Sequence, residues 1–176
     1  MSLVLQPTIY DVMDEIRQLL ETNRTDMDEH LAGYAPDGIQ EIYIGHRKSI
    51  PQWPVIEILP RSVDYPWFAQ RTMDYNHSVT IFCGISMPAI RPRVSEDAPT
   101  DLGSSLNPQL KYLSILEACV RTVLTQPANL QFTIGSTGYS IYNSKAISVA
   151  VGTLNLGSML AAEIAWFGRY LVTSTS

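Results

Sequence analysis

Charge is scarce in this sequence: only 16% of its 176 residues are Asp, Glu, Lys or Arg, against about a quarter in an ordinary globular chain. A surface so poor in charge is often one that another surface covers. Positive charge is scarcer still, with 12 Lys and Arg against 17 Asp and Glu and a net charge of −5. No basic run occurs; the densest spots are Arg47-Lys48 and Arg91-Pro92-Arg93. This argues against a nucleic-acid binder that works by neutralising phosphates. Two cysteines, Cys83 and Cys119, cannot build a disulfide framework and are too few for a structural zinc site by themselves.

Long hydrophobic runs are missing too. The least polar stretch, Ser148–Gly168, contains Thr153, Asn155, Ser158, Glu163 and three glycines, so it is not read as a membrane span. The first residues, Met1-Ser-Leu-Val-Leu-Gln-Pro, carry no positive charge, and their apolar run stops at Gln6; they do not read as a signal peptide. Without an export signal, the sequons Asn23-Arg-Thr and Asn76-His-Ser read as accidental. What remains is one soluble domain, residues 1–176, made inside the cell and long enough to bury about 70% of the surface its unfolded form exposes.

The elements come next. Thr8 can N-cap a helix with Asp11 three residues on. Ile9, Val12, Met13, Ile16, Leu19 and Leu20 then form one apolar stripe, predicting a helix over about 8–22. Residues 23–38 read as a loop with at most a helical turn. Glu41–Gly45 is a short strand. Trp53-Pro-Val-Ile-Glu-Ile-Leu-Pro60 is a strand framed by prolines, either an edge or one that starts at Pro54. Tyr75, His77, Val79, Ile81, Cys83 and Ile85 alternate with more polar residues, predicting an antiparallel strand with one packed face. Residues 86–106 read as a long irregular loop. Asn107-Pro108 opens a helix with the stripe Leu110, Leu113, Leu116, Val120, Val123 and Leu124, stopped by Pro127.

The last third reads as β: Leu130–Ile134, Tyr139–Tyr142, Ala146–Val151 and a long final strand, Ala161–Thr173, with turns at Gly135–Gly138 and Asn155–Ser158. The fold class predicted is therefore α+β, a mainly antiparallel sheet packed by two amphipathic helices on one face.

Catalytic motifs are wanting. There is no G-x-S-x-G elbow, no Walker loop and no G-x-G-x-x-G. Gly135-Ser-Thr-Gly138 lies between strands and reads as a hairpin turn rather than a phosphate cradle. His30, His46 and His77 form no metal-spaced pair. His77 reads as a partly buried core histidine, and the acidic stretch Asp26-Met-Asp-Glu-His30 as solvated. Cys83 and Cys119 read as small core residues, a redox pair only if the fold joins them. Glu57 and Glu163 are the plausible carboxylates for acid–base work, which needs burial, but each stands alone on a β-rich strand and could equally face solvent or a neighbouring subunit. We accordingly expect no catalytic residues, no cofactor and no metal.

Surface features stand out instead. Trp53, Tyr65, Trp67 and Phe68 cluster around a proline-flanked segment bracketed by Arg61 and Arg71. Aromatic and arginine residues on a loop resemble protein interfaces, although Trp53 and Phe68 could equally cap the end of the sheet. The loop 86–106, with Arg91 and Arg93, is either an arm that orders on a partner or a plain connection. The final strand and the one before it are uncharged enough to be a pairing edge. The interface residues predicted are Trp67, Phe68, Arg71, Arg91 and Arg93.

This organisation resembles the tail terminator (tail completion, or tail-to-head joining) proteins of tailed bacteriophages. The likeness runs from the amphipathic helix Thr8–Glu21 through the short strand Glu41–Gly45 and the proline-framed strand Trp53–Pro60. It continues through the strand ending Val79-Thr-Ile-Phe82, the helix Leu110–Leu124 and the closing Ala161-Ala-Glu-Ile-Ala-Trp-Phe167. It covers about residues 5–173, and the loop 86–106 is longer than a minimal member needs.

The resemblance implies a structural virion protein, not an enzyme: a homo-oligomeric ring, usually a hexamer. Such a ring caps the last ring of the tail tube, ends tube polymerisation and joins the tail to the neck and head. Its implied partners are the tail tube protein, a head-completion or neck protein and, in contractile tails, the sheath. DNA would pass through the channel without specific binding, no membrane is involved, and the protein would sit in the virion after assembly in the host cytoplasm. Two other readings stay open: another neck, head-completion or baseplate component, and a small cytosolic enzyme or ligand-binding domain.

Overall fold

The computed structural model describes residues 8–34, 37–46, 52–64, 67–69, 72–86, 108–126, 133–134, 139–151 and 159–173. The predicted turns at 135–138 and 155–158 and the loop at 86–106, beyond Ser86 itself, lie outside them.

Helix α1 (Ile9–Thr22) begins as the sequence predicts. Thr8 Oγ1 accepts from the Asp11 N–H at 3.3 Å, and the Thr8 N–H donates to Asp11 Oδ2 at 2.6 Å, closing a capping box on two of the helix's orphan donors. Val12, Met13, Ile16 and Leu20 form its buried face.

The stretch read as a loop instead holds a second helix, α2 (Arg24–Leu31), entered through Asn23. Its apolar pattern is short, only Met27 and Leu31 being buried. Contacts distant in sequence hold it. Arg24 donates to the carbonyls of Ile39 and Gln40 and pairs with Glu21 at 3.2 Å, while Asp28 Oδ1 accepts the Ile39 N–H at 2.7 Å. Asp28 lies so close under Gly38 that a Cβ there would meet its carboxyl carbon at 2.6 Å; with φ +66°, that turn requires glycine twice over.

The main sheet has the strand path β1 (Glu41–Ile44), β2 (Val55–Asp64), β4 (Thr72–Ser86), β8 (Met159–Thr173), β7 (Tyr142–Val151), with β3 (Trp67–Ala69) also paired to β4. β5 (Thr133–Ile134) and β6 (Tyr139–Ser140) make a separate small ladder. All pairings are antiparallel except β1 with β2, which run parallel. The Trp53–Pro54 peptide is cis, and β2 begins just after it, as one of the two sequence readings has it. β2 is no edge along its first half, because β1 covers Val55–Ile58. Pro60 falls where β1 has ended and at a bulge between Pro60 and Ser62, where a missing N–H is tolerated.

β8 lies inside the sheet between β4 and β7, so the edge belongs to β7. One face of the sheet packs on α1 and α3 (Pro108–Thr125). Register puts Ile56 and Ile58, then Val79, Ile81, Cys83 and Ile85, then Leu160, Ala162, Ile164 and Trp166 on that face, all buried against the helices' stripes. The class is therefore α+β, with helices layered on a mostly antiparallel sheet.

Candidate functional site

The opposite face of the sheet carries no helix among the described residues, and its side chains follow from the pleat. Antiparallel register aligns them in rows across the strands. One row holds Asp64, Asn76 and Arg169; the next holds Ser62, Ser78, Phe167 and Lys145. Further along come Thr80, Ala165 and Ile147, then Glu57, Phe82, Glu163 and Ala150.

A hollow of about 440 Å³ opens over the first two rows, lined by Ser62, Asp64, Asn76, Ser78, Lys145 and Arg169 among others. Lys145 Nζ stands 5.3 Å from the Phe167 ring centroid, a cation–π contact that parks the ammonium over this face. Ser78 is buried, and its hydroxyl has no hydrogen-bond partner among the described residues.

Glu57 and Glu163, the two carboxylates singled out in the sequence, share a row but stand on β2 and β8 with β4 between them. Two strand spacings separate their backbones by roughly 10 Å. Glu57 Oε1 lies 2.8 Å from Nδ1 of the exposed His46. Trp53 lies over Gly84 on this face: a Cβ on Gly84 would meet its ring at 2.8 Å. It thus covers one end of the sheet, the capping alternative named above for Trp53.

β7 ends the strand path. Its Ile147 and Val149 are 47% and 53% exposed, two of the four large exposed hydrophobics among the described residues. Small and uncharged residues surround them: Ala146, Ser148 and Ala150. Of the two strands read as a possible pairing edge, only β7 ends the described sheet, and it extends back past Ala146 to include Lys145.

On the helix side, a groove of about 650 Å³ runs between α2 and α3. Met27, Ile115, Ala118, Cys119 and Val123 give it apolar walls, and Asp26, His30 and Lys111 stand along it. The acidic stretch 26–30 does not act as a unit. Asp28 turns inward to Ile39 and Arg24, whereas Asp26, Glu29 and His30 are exposed.

His77 is buried on the helix-covered face and stacks on Tyr170 at 5.2 Å between centroids. Neither ring nitrogen has a hydrogen-bond partner among the described residues. Burial pulls its pKa down to about 4, so it is a neutral core residue. Cys83 and Cys119 are free thiols, Cys83 buried and Cys119 half-buried. Burial pushes both thiols up, Cys83 further through the charge of Glu117, which is the reverse of what a nucleophilic thiolate needs. Among the described residues, no three His, Cys, Asp or Glu side chains gather as a metal site, and no helix is long and apolar enough to cross a membrane.

Of the predicted interface residues, the backbones of Trp67 and Phe68 form β3 against β4, so they belong to the sheet rather than to a loop. Their side chains, together with Arg71, Arg91 and Arg93, lie outside the described residues. The β7 edge and the α2–α3 groove were not singled out by residue in the sequence. Ile147 and Val149 alternate with Ser148, a pattern that announces a strand without telling that, among the described residues, it is paired on one side only. No protein-family model matches the chain, and no curated protein matches it.

Proposed function

We propose that this protein is a tail terminator of a tailed bacteriophage. It forms a ring, in that family usually a hexamer, that caps the tail tube, ends its polymerisation and offers the neck and head a joining surface. The observation that carries this reading is the β7 edge, a ten-residue strand at the end of the described sheet whose one charge is Lys145 and on which Ile147 and Val149 are exposed. Long apolar edges are a liability that soluble monomers blunt with charge, proline or cover. From Ala146 to Val151 this edge carries neither charge nor proline, which fits a subunit whose edge is covered on assembly. The sequence of helix, strands, helix and closing strands supports the resemblance, with α2 standing where its layout had a loop.

Capping would then be multivalent. Each subunit makes modest contacts with the terminal tube ring, and a closed ring engages them together. The α2–α3 groove has the size of a small-molecule site, which favours a ligand-binding domain as the second reading. Its titratable members Asp26, His30 and Lys111 stand on helix surfaces rather than converging on one buried point.

The test is the absolute mass of the purified protein by light scattering, with and without its tail tube protein. A closed ring, alone or formed only on tube ends, is expected. A subunit that stays monomeric and ignores tubes refutes the reading. A ring that binds elsewhere than the tube end makes it a different neck or baseplate component.

A further inference from the structure

The first two helices are strongly acidic. Residues 8–34, which comprise α1, α2 and their flanks, hold seven carboxylates against two arginines, a balance of −5 that equals the net charge of the whole chain. Several of these carboxylates are engaged within the layer: Asp14 with Arg17 at 2.8 Å, Glu21 with Arg24, and Asp28 with the Ile39 N–H. Asp26 is exposed, on the rim of the apolar groove between α2 and α3.

On the β7 edge, Lys145, Ile147 and Val149 are all exposed, a cation followed at two-residue steps by two aliphatic side chains. Lys145 and Ile147 lie on the sheet face away from the helices, opposite Phe167 and Ala165. The chain thus carries an apolar ridge with a cation at one end, and elsewhere a groove with apolar walls that has Asp26 and His30 on its α2 side and Lys111 on its α3 side.

We propose that these two surfaces bind each other between copies of this chain. Ile147 and Val149 of one copy seat in the α2–α3 groove of the next, over Met27, Ile115 and Cys119, with Lys145 facing Asp26. Ridge and groove are different surfaces, so the contact is heterologous. It leaves one ridge and one groove open at every step, and closes only as a ring. A symmetric edge-to-edge pairing of β7 would instead stop at a dimer. The aliphatic pair supplies buried apolar area and the ion pair supplies register, since a seating shifted across the groove sets Lys145 against Lys111 or apolar wall instead of Asp26. This inference rests on the ring reading and names the contact by which the ring forms.

The test uses the full-length protein, with tube protein present if the ring forms only there. Ile147→Asp and Lys145→Glu change exposed side chains, so circular dichroism should match the wild type. Ring association should weaken by more than about tenfold in each. Adding Asp26→Lys to Lys145→Glu should restore the ring, which a general loss of stability would not do. In addition, Ile147→Cys under mild oxidation at alkaline pH should link to native Cys119 of the neighbouring copy, giving a covalent ladder that Cys119→Ser abolishes. Rings unaffected by both single substitutions overturn the contact and leave the ring reading standing. Links between two introduced cysteines alone mean symmetric edge pairing and also overturn it. A wild type that is monomeric both alone and on tubes overturns the ring reading itself.

Discussion

Adding one methyl group at Gly168 should destabilise this protein more than most surface substitutions could. Gly168 sits in the centre of β8, opposite His77, with β4 on one side and β7 on the other. The indole of Trp166 folds along the strand into the space a Cβ would take. That Cβ would run into Cη2 and lie 2.7 Å from Cζ2 and 3.0 Å from Cζ3. Trp166 is wholly buried and cannot swing away without displacing the core around Val79. Overpacking of this kind costs about 1–3 kcal/mol. The backbone here is extended, so alanine adds no strain and regains about 0.4–1 kcal/mol from the unfolded chain. With the closest approach so far inside van der Waals contact, the upper end of the range applies, and Gly168→Ala should lose about 2 kcal/mol net.

In urea, with a slope of about 2 kcal/mol per molar, the midpoint should fall by about 1 M with the slope unchanged. In a thermal scan Tm should drop by about 4–8 °C. In a Trp166→Phe background, which removes the offending ring atoms, the same Gly168→Ala change should cost distinctly less, a coupling that a double-mutant cycle reads directly. A midpoint that stays put or rises would refute the packing described for Trp166.

Four further outcomes follow from the same structure. His77 has its folded pKa depressed by burial to about 4 from the usual value near 6.5. Between those pH values the unfolded chain binds the extra proton, so stability should fall as pH drops, by up to about 3 kcal/mol near pH 4. His77→Phe should flatten that part of the pH–stability curve, and an unchanged slope counts against a neutral buried imidazole. Asp28→Ala leaves the N–H of buried Ile39 without its acceptor and should cost about 1–3 kcal/mol, while Asp28→Asn, which keeps a carbonyl oxygen, should cost less in chemical denaturation. Thr8→Ala opens the capping box of α1 and should lose about 1 kcal/mol; no change would mean that Asp11 alone holds the helix end. Trp67→Ala combined with Arg71→Ala should leave circular dichroism intact and weaken ring or tube association in sedimentation; unaltered association removes that segment from the interface.

Local patterns alone settled a good part of this molecule. A cap followed by an apolar stripe is enough to place α1, because both signals lie within four residues of each other and need no partner. The same holds for α3, which starts at Pro108 after an asparagine, and for β4, whose alternation from Tyr75 to Ile85 sorts core from open face residue by residue. Even the sides of β8 could be read, with Ala162, Ile164, Trp166 and Tyr170 on the buried face.

Other features exist only through contacts between distant residues. α2 has too few apolar positions to declare itself and is held by Arg24 and Asp28 reaching the chain around Ile39. The parallel pairing of β1 with β2 and the interior place of the last strand are matters of which strand lies beside which, and side-chain alternation does not encode the neighbour. For that reason Ile147 and Val149 look in the sequence like any half-buried strand, and only the ended sheet leaves them exposed. Asp26 likewise looks like one of several acids, until the fold turns Asp28 inward and sets Asp26 beside an apolar groove. Periodicity is a property of neighbouring residues; edges, grooves and the charge that faces them belong to the assembled layers.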